Sequence, residues 1–132
     1  MKGLVIKKKW LDLILAGKKI WEIRGSNCRL RGRVALIESG SGTIVAVCSI
    51  KGVQGPFSLP QLLDHRKNHA VDKETLETWG GYAKNFCWEL DDVVILAEPI
   101  PYIHPMGAVI WVGEASIPQK KLAKQLGYER KG

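Results

Sequence analysis

Short runs of β-forming residues recur along the sequence, and glycine, proline or charged residues separate them. Apolar runs of roughly four to eight residues, alternating or continuous, are typical of strands. The pattern predicts at least six strands, within Leu4–Ile6, Ile20–Arg24, Val34–Ile37, Thr43–Ile50, Phe86–Leu90, Val93–Ala97 and Ala108–Val112. Ser39-Gly40-Ser41-Gly42 predicts a hairpin turn, and Gly55-Pro56 is expected to break the chain.

Helical signals lie between and after these runs. Apolar residues at helical spacing predict a helix over Lys7–Ala16 that ends at Gly17. Ser58-Leu59-Pro60-Gln61 and Ser116-Ile117-Pro118-Gln119 have the form of a capping box, and Asp72 predicts a further helix that Gly80-Gly81 ends. Strands without regular helical alternation disfavour a doubly wound fold, and capped helices disfavour a sandwich. We expect an α+β fold, a small mixed β-barrel with flanking helices.

Length and composition restrict the class of protein further. The 132 residues suit one domain, residues 1–132, and no stretch approaches the run of about 18 apolar residues that a membrane span needs. The apolar start is too short for a signal peptide. Cys28, Cys48 and Cys87 cannot pair completely and none has a CxxC spacing, which disfavours disulfides and a zinc ribbon. We therefore expect a cytoplasmic protein with no membrane partner, no organic cofactor and no metal site.

The net charge of +7 lies in the first quarter of the chain. Residues 1–33 hold ten lysines and arginines against Asp12 and Glu22, and the remainder holds ten basic and eleven acidic residues. Such a concentration attracts phosphate-bearing partners, although a solubilising surface explains it equally well. For Arg29, Arg31 and Arg33 phosphate contact is the favoured interpretation. For Lys7-Lys8-Lys9 a solvated face is slightly favoured.

The stretch from Gly17 to Arg24 carries the densest chemistry. Strand alternation places Glu22 and Arg24 on one face, opposite Trp21 and Ile23, while Lys19 lies at the junction of helix and strand. Two interpretations follow: the charges converge at a barrel mouth, or they form an exposed ion-pair strand. Spacing alone favours the exposed strand, since surface ion pairs are common.

Aromatic residues and histidines supply further candidates. Trp79 and Tyr82 flank the flexible Gly80-Gly81 turn and suit a ligand contact. His104 precedes a glycine-bearing loop, for which a ligand contact and an ordinary turn are equally favoured. His65 and His69 are four residues apart and would share a helical face, but solvated loop histidines are favoured over a metal site. Trp10, Trp88 and Trp111 are expected in the core.

The run Gly17-Lys18-Lys19-Ile20-Trp21-Glu22-Ile23-Arg24 resembles the GxKxxExR signature of the ASCH domain family, part of the PUA-like superfamily. The preceding Leu15-Ala16, the following Arg31–Leu36 and the late Pro99–Pro101 and Gly107–Trp111 also resemble such domains. The resemblance covers about residues 3–113, with the signature at 17–24 and a C-terminal helical extension at about 116–127. It implies a small β-barrel whose cleft carries the signature.

The resemblance also implies function. Members of the superfamily bind RNA or modified bases; one small bacterial group hydrolyses the N4-acetyl group of acetylcytidine, and another member is described as a metal-dependent ribonuclease. In the hydrolase group the signature lysine matches Lys19, and the nucleophilic threonine would fall on Glu22. A further family glutamate has no secure counterpart here, and Glu74 and Glu77 are candidates.

Because Glu22 has no hydroxyl, the hydrolase mechanism requires a change. We expect Glu22 to act as general base on water, Lys19 to stabilise the oxyanion and protonate the amine, and Arg24 to orient Glu22 or the substrate. A less favoured alternative makes Ser26 the nucleophile. The other expected nucleoside contacts are Trp21, Ser26, Trp79, Tyr82 and His104. The alternative function is an RNA-binding module, a weak ribonuclease or a reader of modified bases.

Overall fold

The computed structural model describes residues 1–127, which contain six strands, five α-helices and a short 3₁₀ helix. The strands are β1 (Gly3–Ile6), β2 (Trp21–Arg24), β3 (Gly32–Glu38), β4 (Thr43–Phe57), β5 (Asn85–Pro101) and β6 (Trp111–Val112). The helices are α1 (Lys8–Leu15), α2 (Leu59–Asp64), α3 (Arg66–His69), α4 (Lys73–Trp79) and α5 (Gln119–Leu126), with the 3₁₀ helix at Glu114–Ser116. None of the helices in this part of the chain is long and apolar enough to cross a bilayer.

The strands form one mixed sheet in the order β2-β5-β4-β3-β1-β6. β1 pairs with β3 in parallel, and the other four pairings are antiparallel. The α+β class is therefore confirmed. The closed barrel is not confirmed, because β2 and β6 are the two edges of an open sheet in the described residues. The Arg24 side chain nevertheless links β2 to β1 by donating to the Val5 carbonyl at 2.9 Å.

Two long strands replace several predicted shorter ones. β5 runs without interruption through the two runs predicted as separate strands, and Asp92 within it has a φ of 48°. The expected break at Gly55-Pro56 is wrong, since β4 continues to Phe57. Gly55 has a φ of 105°, and the β4–β5 register shifts between Gln54 and Phe57. With these irregularities the β4–β5 pairing continues past Gly55-Pro56, a dipeptide that usually ends a strand.

Alternation along the sheet divides the core into separate clusters. Val34 and Leu36 pack with Leu11 and Trp88 against α1, whereas the other face of β3 packs toward α5. A third cluster, with Ile23, Leu62, Leu76 and Cys87, lies between the β2–β5 pair and helices α2 and α4. Burial of each large apolar side chain contributes about 1.5–3 kcal/mol to folding. The third cluster therefore holds α2 and α4 against the strand that carries the signature.

The helix ends test the capping predictions. The Ser58 hydroxyl accepts from the Gln61 amide and the Gln61 side chain accepts from the Ser58 amide, which confirms the first capping box. The second is wrong: α5 begins after Pro118, and Ser116 belongs to the 3₁₀ helix. The Gln119 side chain instead donates to the carbonyls of Met1 and Glu114. The predicted strand over Ala108–Val112 shortens to Trp111–Val112.

Candidate functional site

The turn between α1 and β2 positions Lys19. α1 ends at Leu15, and Gly17 adopts a φ of 76°, which a glycine tolerates without a Cβ clash. The amides of Lys18 and Lys19 both donate to the Leu13 carbonyl, and the Ile20 amide donates to the Asn68 carbonyl of α3. These bonds direct the Lys19 side chain into the molecule, where only 2% of the residue is exposed.

Lys19, Glu22 and Arg24 form one ion cluster. Arg24 Nη2 and Nε both donate to Glu22 Oε2, at 2.7 and 3.0 Å. Lys19 Nζ lies 3.5 Å from the other oxygen, Oε1. The expected shared face of Glu22 and Arg24 is observed. The exposed ion-pair interpretation is wrong, because the side chains of Lys19, Glu22 and Arg24 are 1%, 6% and 14% exposed.

The cluster has more positive than negative charge. Two cations face one carboxylate, so a net charge of one remains in a partly dry environment. Burial lowers the pKa of Lys19, and the Glu22 carboxylate opposes that shift. Lys19 Nζ also donates to the His69 carbonyl at 2.7 Å. Lys19 is therefore held in place, has a pKa below that of an ordinary lysine, and lies beside a carboxylate oxygen that Arg24 leaves free.

His69 supports this arrangement and is fully buried. Its Nδ1 accepts from the Val71 amide at 3.0 Å, so the proton lies on Nε2, which donates to the Leu62 carbonyl at 2.6 Å. Burial lowers the His69 pKa, which agrees with a neutral ring. The prediction of a solvated loop histidine is therefore wrong for His69. His65 stacks on Phe57 at 5.0 Å instead of facing His69 as a ligand pair.

The cluster opens onto a cavity of about 390 Å³. Its lining comes from β1, α1, the signature, the β3–β4 turn, α4 and the two loops near Tyr82 and Val109: Val5, Lys7, Trp10, Lys19, Glu22, Ile23, Arg24, Ser39, Val71, Thr75, Trp79, Tyr82 and Val109. Trp79 and Tyr82 meet edge to face, with ring centroids 4.9 Å apart. Tyr82 packs on Gly25, where an added Cβ would lie 2.9 Å from its ring. This volume and mixed lining are typical of small-molecule sites.

Three predicted substrate contacts lie away from the cavity lining. Trp21 packs with Phe57 and His65 on the other face of β2. Ser26 is exposed, and its carbonyl accepts from Trp88 Nε1 at 2.9 Å. His104 is held within its own loop by the Tyr102 hydroxyl and the Ala108 carbonyl, each at 2.7 Å.

The candidate glutamates and arginines also lie outside the lining. Glu74 and Glu77 are exposed on α4. Arg29 is exposed, Arg31 donates to the carbonyls of Cys28 and Leu30, and Arg33 donates to the Asp92 carbonyl. The arginines therefore form a surface separate from the cavity, on the segment that leads from β2 into β3.

Sequence reasoning missed part of the lining. Lys7, Ser39, Thr75 and Val109 reach the cavity from four separate segments. The sequence singles out Lys7 only as part of a basic run and does not mark the other three. The pairing of β1 with β3 and the packing of α4 bring these segments together. Trp10, expected in the core, is partly buried and also lines the cavity.

A metal-dependent activity would need a suitable donor set. Within residues 1–127 no group of three or more His, Cys, Asp and Glu side chains is arranged to hold a metal ion. The ligands that this part of the chain supplies therefore do not fit a metal centre built by the protein alone.

Comparison with known proteins relates the chain to a family and to solved structures. The ASCH domain family model matches residues 4–101. Among solved structures, ASCH from Zymomonas mobilis superimposes with a TM-score of 0.69 at 14% identity, covering 93% of each chain. A tyrosine-to-phenylalanine mutant of that protein superimposes with a TM-score of 0.69 at 14% identity, covering 93% of this chain and 96% of the mutant chain. A serine-to-alanine mutant superimposes with a TM-score of 0.68 at 14% identity, covering 93% of this chain and 94% of the mutant chain. No curated protein sequence matches the chain. The matched region contains every residue of the ion cluster.

Proposed function

The chain belongs to the ASCH domain family, and on that premise we propose that it hydrolyses the N4-acyl amide of acylated cytidine nucleosides. The observation that carries this proposal is the buried Lys19–Glu22–Arg24 cluster at the wall of a nucleoside-sized cavity. An amide hydrolase needs a base, an oxyanion stabiliser and a proton donor at one point, and this cluster contains all three kinds of group.

Glu22 is the general base of the proposed reaction. Its Oε1 takes a proton from a water molecule, whose oxygen forms a bond to the amide carbonyl carbon. Lys19 stabilises the negative oxygen that develops on that carbon. The C–N bond then breaks, Lys19 gives its proton to the N4 leaving amine, and the proton on Glu22 restores Lys19 across their 3.5 Å separation. The products are the free cytidine amine and the carboxylic acid.

Arg24 positions the base in this scheme. Both of its hydrogen bonds to Glu22 end on Oε2, and a third holds the guanidinium to the Val5 carbonyl. Oε1 is thereby directed toward Lys19 and remains available to water. A guanidinium suits this task because its donors are fixed in one plane and it keeps its charge.

The aromatic residues of the lining form the proposed base-binding wall. Trp79 is 41% and Tyr82 45% exposed, so each retains ring surface for a flat ligand. Stacking on aromatic side chains is a common way to bind a nucleobase. The three cysteines are buried and free, which fits the reducing cytoplasm that we propose as the location.

Chromatography of a reaction with N4-acetylcytidine tests the proposal. The unmodified protein should release cytidine, and Lys19→Ala and Glu22→Gln should each lower the rate by about 100-fold or more. Lys18→Ala and Glu77→Gln are matched controls, since both side chains are exposed and lie outside the cavity. They should retain the rate. Circular dichroism establishes that each variant is folded, and absence of cytidine from the unmodified protein would reject the proposal.

The charge distribution favours a second candidate function. The basic excess of residues 1–33 is much larger than the single uncompensated charge of the buried cluster. An RNA-binding module, with or without weak ribonuclease activity or recognition of a modified base, would use Arg29, Arg31 and Arg33 for phosphate contacts. Such binding is compatible with hydrolysis at the cavity, because the two sets of residues are separate.

A further inference from the structure

The cavity carries more positive charge than deacylation of a neutral nucleoside requires. Its lining contains the cations Lys7, Lys19 and Arg24 but only one acid, Glu22. Glu22 neutralises one of the two cations that contact it. Two positive charges therefore face a space of about 390 Å³ that is partly enclosed by apolar and aromatic walls. Low-dielectric walls strengthen the field of such charges inside a cleft.

Lys7 is the cation that the proposed hydrolysis leaves unused. It follows β1 and precedes α1, and its carbonyl accepts from the amides of Trp10 and Leu11, which fixes its backbone. Its side chain is exposed and forms no capping bond to the helix. Among residues 1–127 its ammonium group has no ion-pair partner, whereas the neighbouring Lys8 lies 2.9 Å from Asp12.

Ser39, whose side chain ends in a hydroxyl, lines the same cavity as Lys7. Its amide donates to the carbonyl of Ile6, the residue directly before Lys7, at 2.9 Å. Lys7 and Ser39 therefore lie at adjacent ends of the paired strands β1 and β3, whereas Trp79 and Tyr82 reach the cavity from α4 and the loop that follows it. An ammonium and a hydroxyl beside an uncompensated charge are suited to a phosphate.

We propose that Lys7 and Ser39 form a phosphate subsite and that the acylated substrate is a cytidine nucleotide, with its base toward Trp79 and Tyr82. The acylated part of the substrate rests on the proposed function, but the phosphate subsite does not. Lys7 thereby differs from the rest of the Lys7-Lys8-Lys9 run, for which a solvated face was expected. Lys8 keeps that description because it is exposed, pairs with Asp12 and lies outside the cavity lining.

Calorimetric titration of the full chain tests the subsite without any turnover. The ligands are cytidine, cytidine 5′-monophosphate and cytidine 3′-monophosphate, each in low and in moderate salt. At low salt one of the monophosphates should bind roughly tenfold or more tightly than cytidine, because a charge-assisted hydrogen bond supplies that much affinity. The preferred isomer identifies the end of the ribose that faces Lys7. Salt should reduce the preference.

Lys7→Gln and Lys8→Gln form a matched pair for this measurement. Both remove one positive charge from adjacent exposed positions, so general electrostatic attraction changes equally. The ratio of monophosphate to nucleoside affinity should fall toward one in Lys7→Gln and persist in Lys8→Gln. Equal binding of all three ligands by the unmodified protein, or equal loss of preference in both variants, would overturn the subsite.

The outcome is separable from that of the hydrolase proposal. Tight binding of a monophosphate with no deacylation of either N4-acetylcytidine or its phosphate would reject hydrolysis and retain the subsite. Deacylation of N4-acetylcytidine with no preference for phosphate in binding would retain hydrolysis and reject the subsite. Inorganic phosphate serves as the remaining probe: competition with the monophosphate that Lys7→Gln abolishes supports the subsite.

Discussion

Lys19 combines burial with two oxygen partners, and that combination determines how it titrates. Desolvation lowers its pKa, while Glu22 keeps the charged form accessible. The nearby Cys87 thiol stays neutral over the same range, because burial raises its pKa to about 11. A lysine in this position therefore loses its proton at a lower pH than a solvated lysine.

The alkaline limb of the rate profile tests this property. In the proposed reaction Lys19 must be protonated, so kcat/KM should fall as pH rises, with a midpoint below the ordinary lysine value of 10.5. The measurement is the rate of N4-acetylcytidine hydrolysis at a series of pH values. Lys19→Arg keeps a permanent charge and should lose this limb even if its rate is lower. An unchanged limb in Lys19→Arg would assign the titration to another group.

At the scale of elements, the short helix α3 holds Lys19 in its position in the site. Its last residue, His69, bonds through its ring to Leu62 and Val71 and through its carbonyl to Lys19. Ala70 then turns the chain with a φ of 58°, which is uncommon for a residue with a Cβ. α3 therefore connects the packing of α2 to the position of the Lys19 ammonium.

Replacing His69 should weaken this connection. His69→Ala leaves the Val71 amide without its acceptor, which costs about 1–3 kcal/mol for a buried group. The Leu62 carbonyl loses the imidazole donor but keeps the His65 amide. Because the folded pKa of His69 lies below its ordinary 6.5, folding disfavours protonation. Its stabilising effect is present above 6.5 and is lost as pH falls toward the lowered pKa. Denaturant unfolding of the unmodified protein and of His69→Ala between about pH 5 and 7 measures both the loss of stability in the variant and its dependence on pH.

His65→Ala is the control for this experiment. His65 stacks on Phe57 and lies at a tilt to Trp21, but it is only partly buried, so its loss should destabilise the protein less. The difference between the unmodified protein and His69→Ala should narrow at lower pH. A constant difference across the range, or equal destabilisation by both variants, would contradict the assigned role of His69.

Local sequence predicts that a helix or strand is present better than it predicts how long that helix or strand is. Gly17 ends α1 and Ser58 begins α2 because glycine conformation and side-chain capping act within a few residues. The sequence predicts separate strands before and after Asp91-Asp92, yet β5 continues through these residues because β4 pairs with it on both sides of them. Strand length is thus a property of the pair, which one segment of sequence does not reveal.

In the site, as in the fold, the sequence predicts relations within one segment but not those that depend on other segments. Alternation correctly placed Glu22 and Arg24 together, since that relation depends on β2 alone. Their burial depends on the segments packed around β2, among them β5 and α3, so spacing favoured the wrong, exposed interpretation. Lys7 and Ser39 reach the cavity through the β1–β3 pairing, to which neither residue's own neighbours give a clue.

At the scale of the whole molecule, six of the ten basic residues in the first quarter of the chain fall into three groups. Lys19 and Arg24 lie in the buried cluster, Lys7 at the cavity, and Arg29, Arg31 and Arg33 on the segment that leads from β2 into the start of β3. Arg31 and Arg33 each spend donors on backbone carbonyls, but a guanidinium has five N–H donors, so others remain for a phosphate. This arginine segment is the surface that the RNA-binding alternative needs.

Reversing the charge of the arginine segment tests that alternative. Arg29→Glu, Arg31→Glu and Arg33→Glu together should abolish binding of a short single-stranded RNA if these residues contact phosphates. Affinity should fall with salt for the unmodified protein, since each neutralised phosphate adds about 0.7 to the slope of log affinity against log salt. Fluorescence anisotropy at several salt concentrations measures both quantities.

A matched triple variant separates a local contact from the effect of net charge. Lys120, Lys121 and Lys124 are exposed on α5, so changing all three to glutamate alters the net charge equally. If the arginine segment binds RNA, this variant should weaken binding only through long-range attraction, which salt screens. The RNA affinity of this lysine variant should then approach that of the unmodified protein as the salt concentration rises, whereas the affinity of the arginine variant should stay lower. Equal loss in both triple variants, or no salt dependence in the unmodified protein, would leave the cavity as the sole functional surface predicted from this chain.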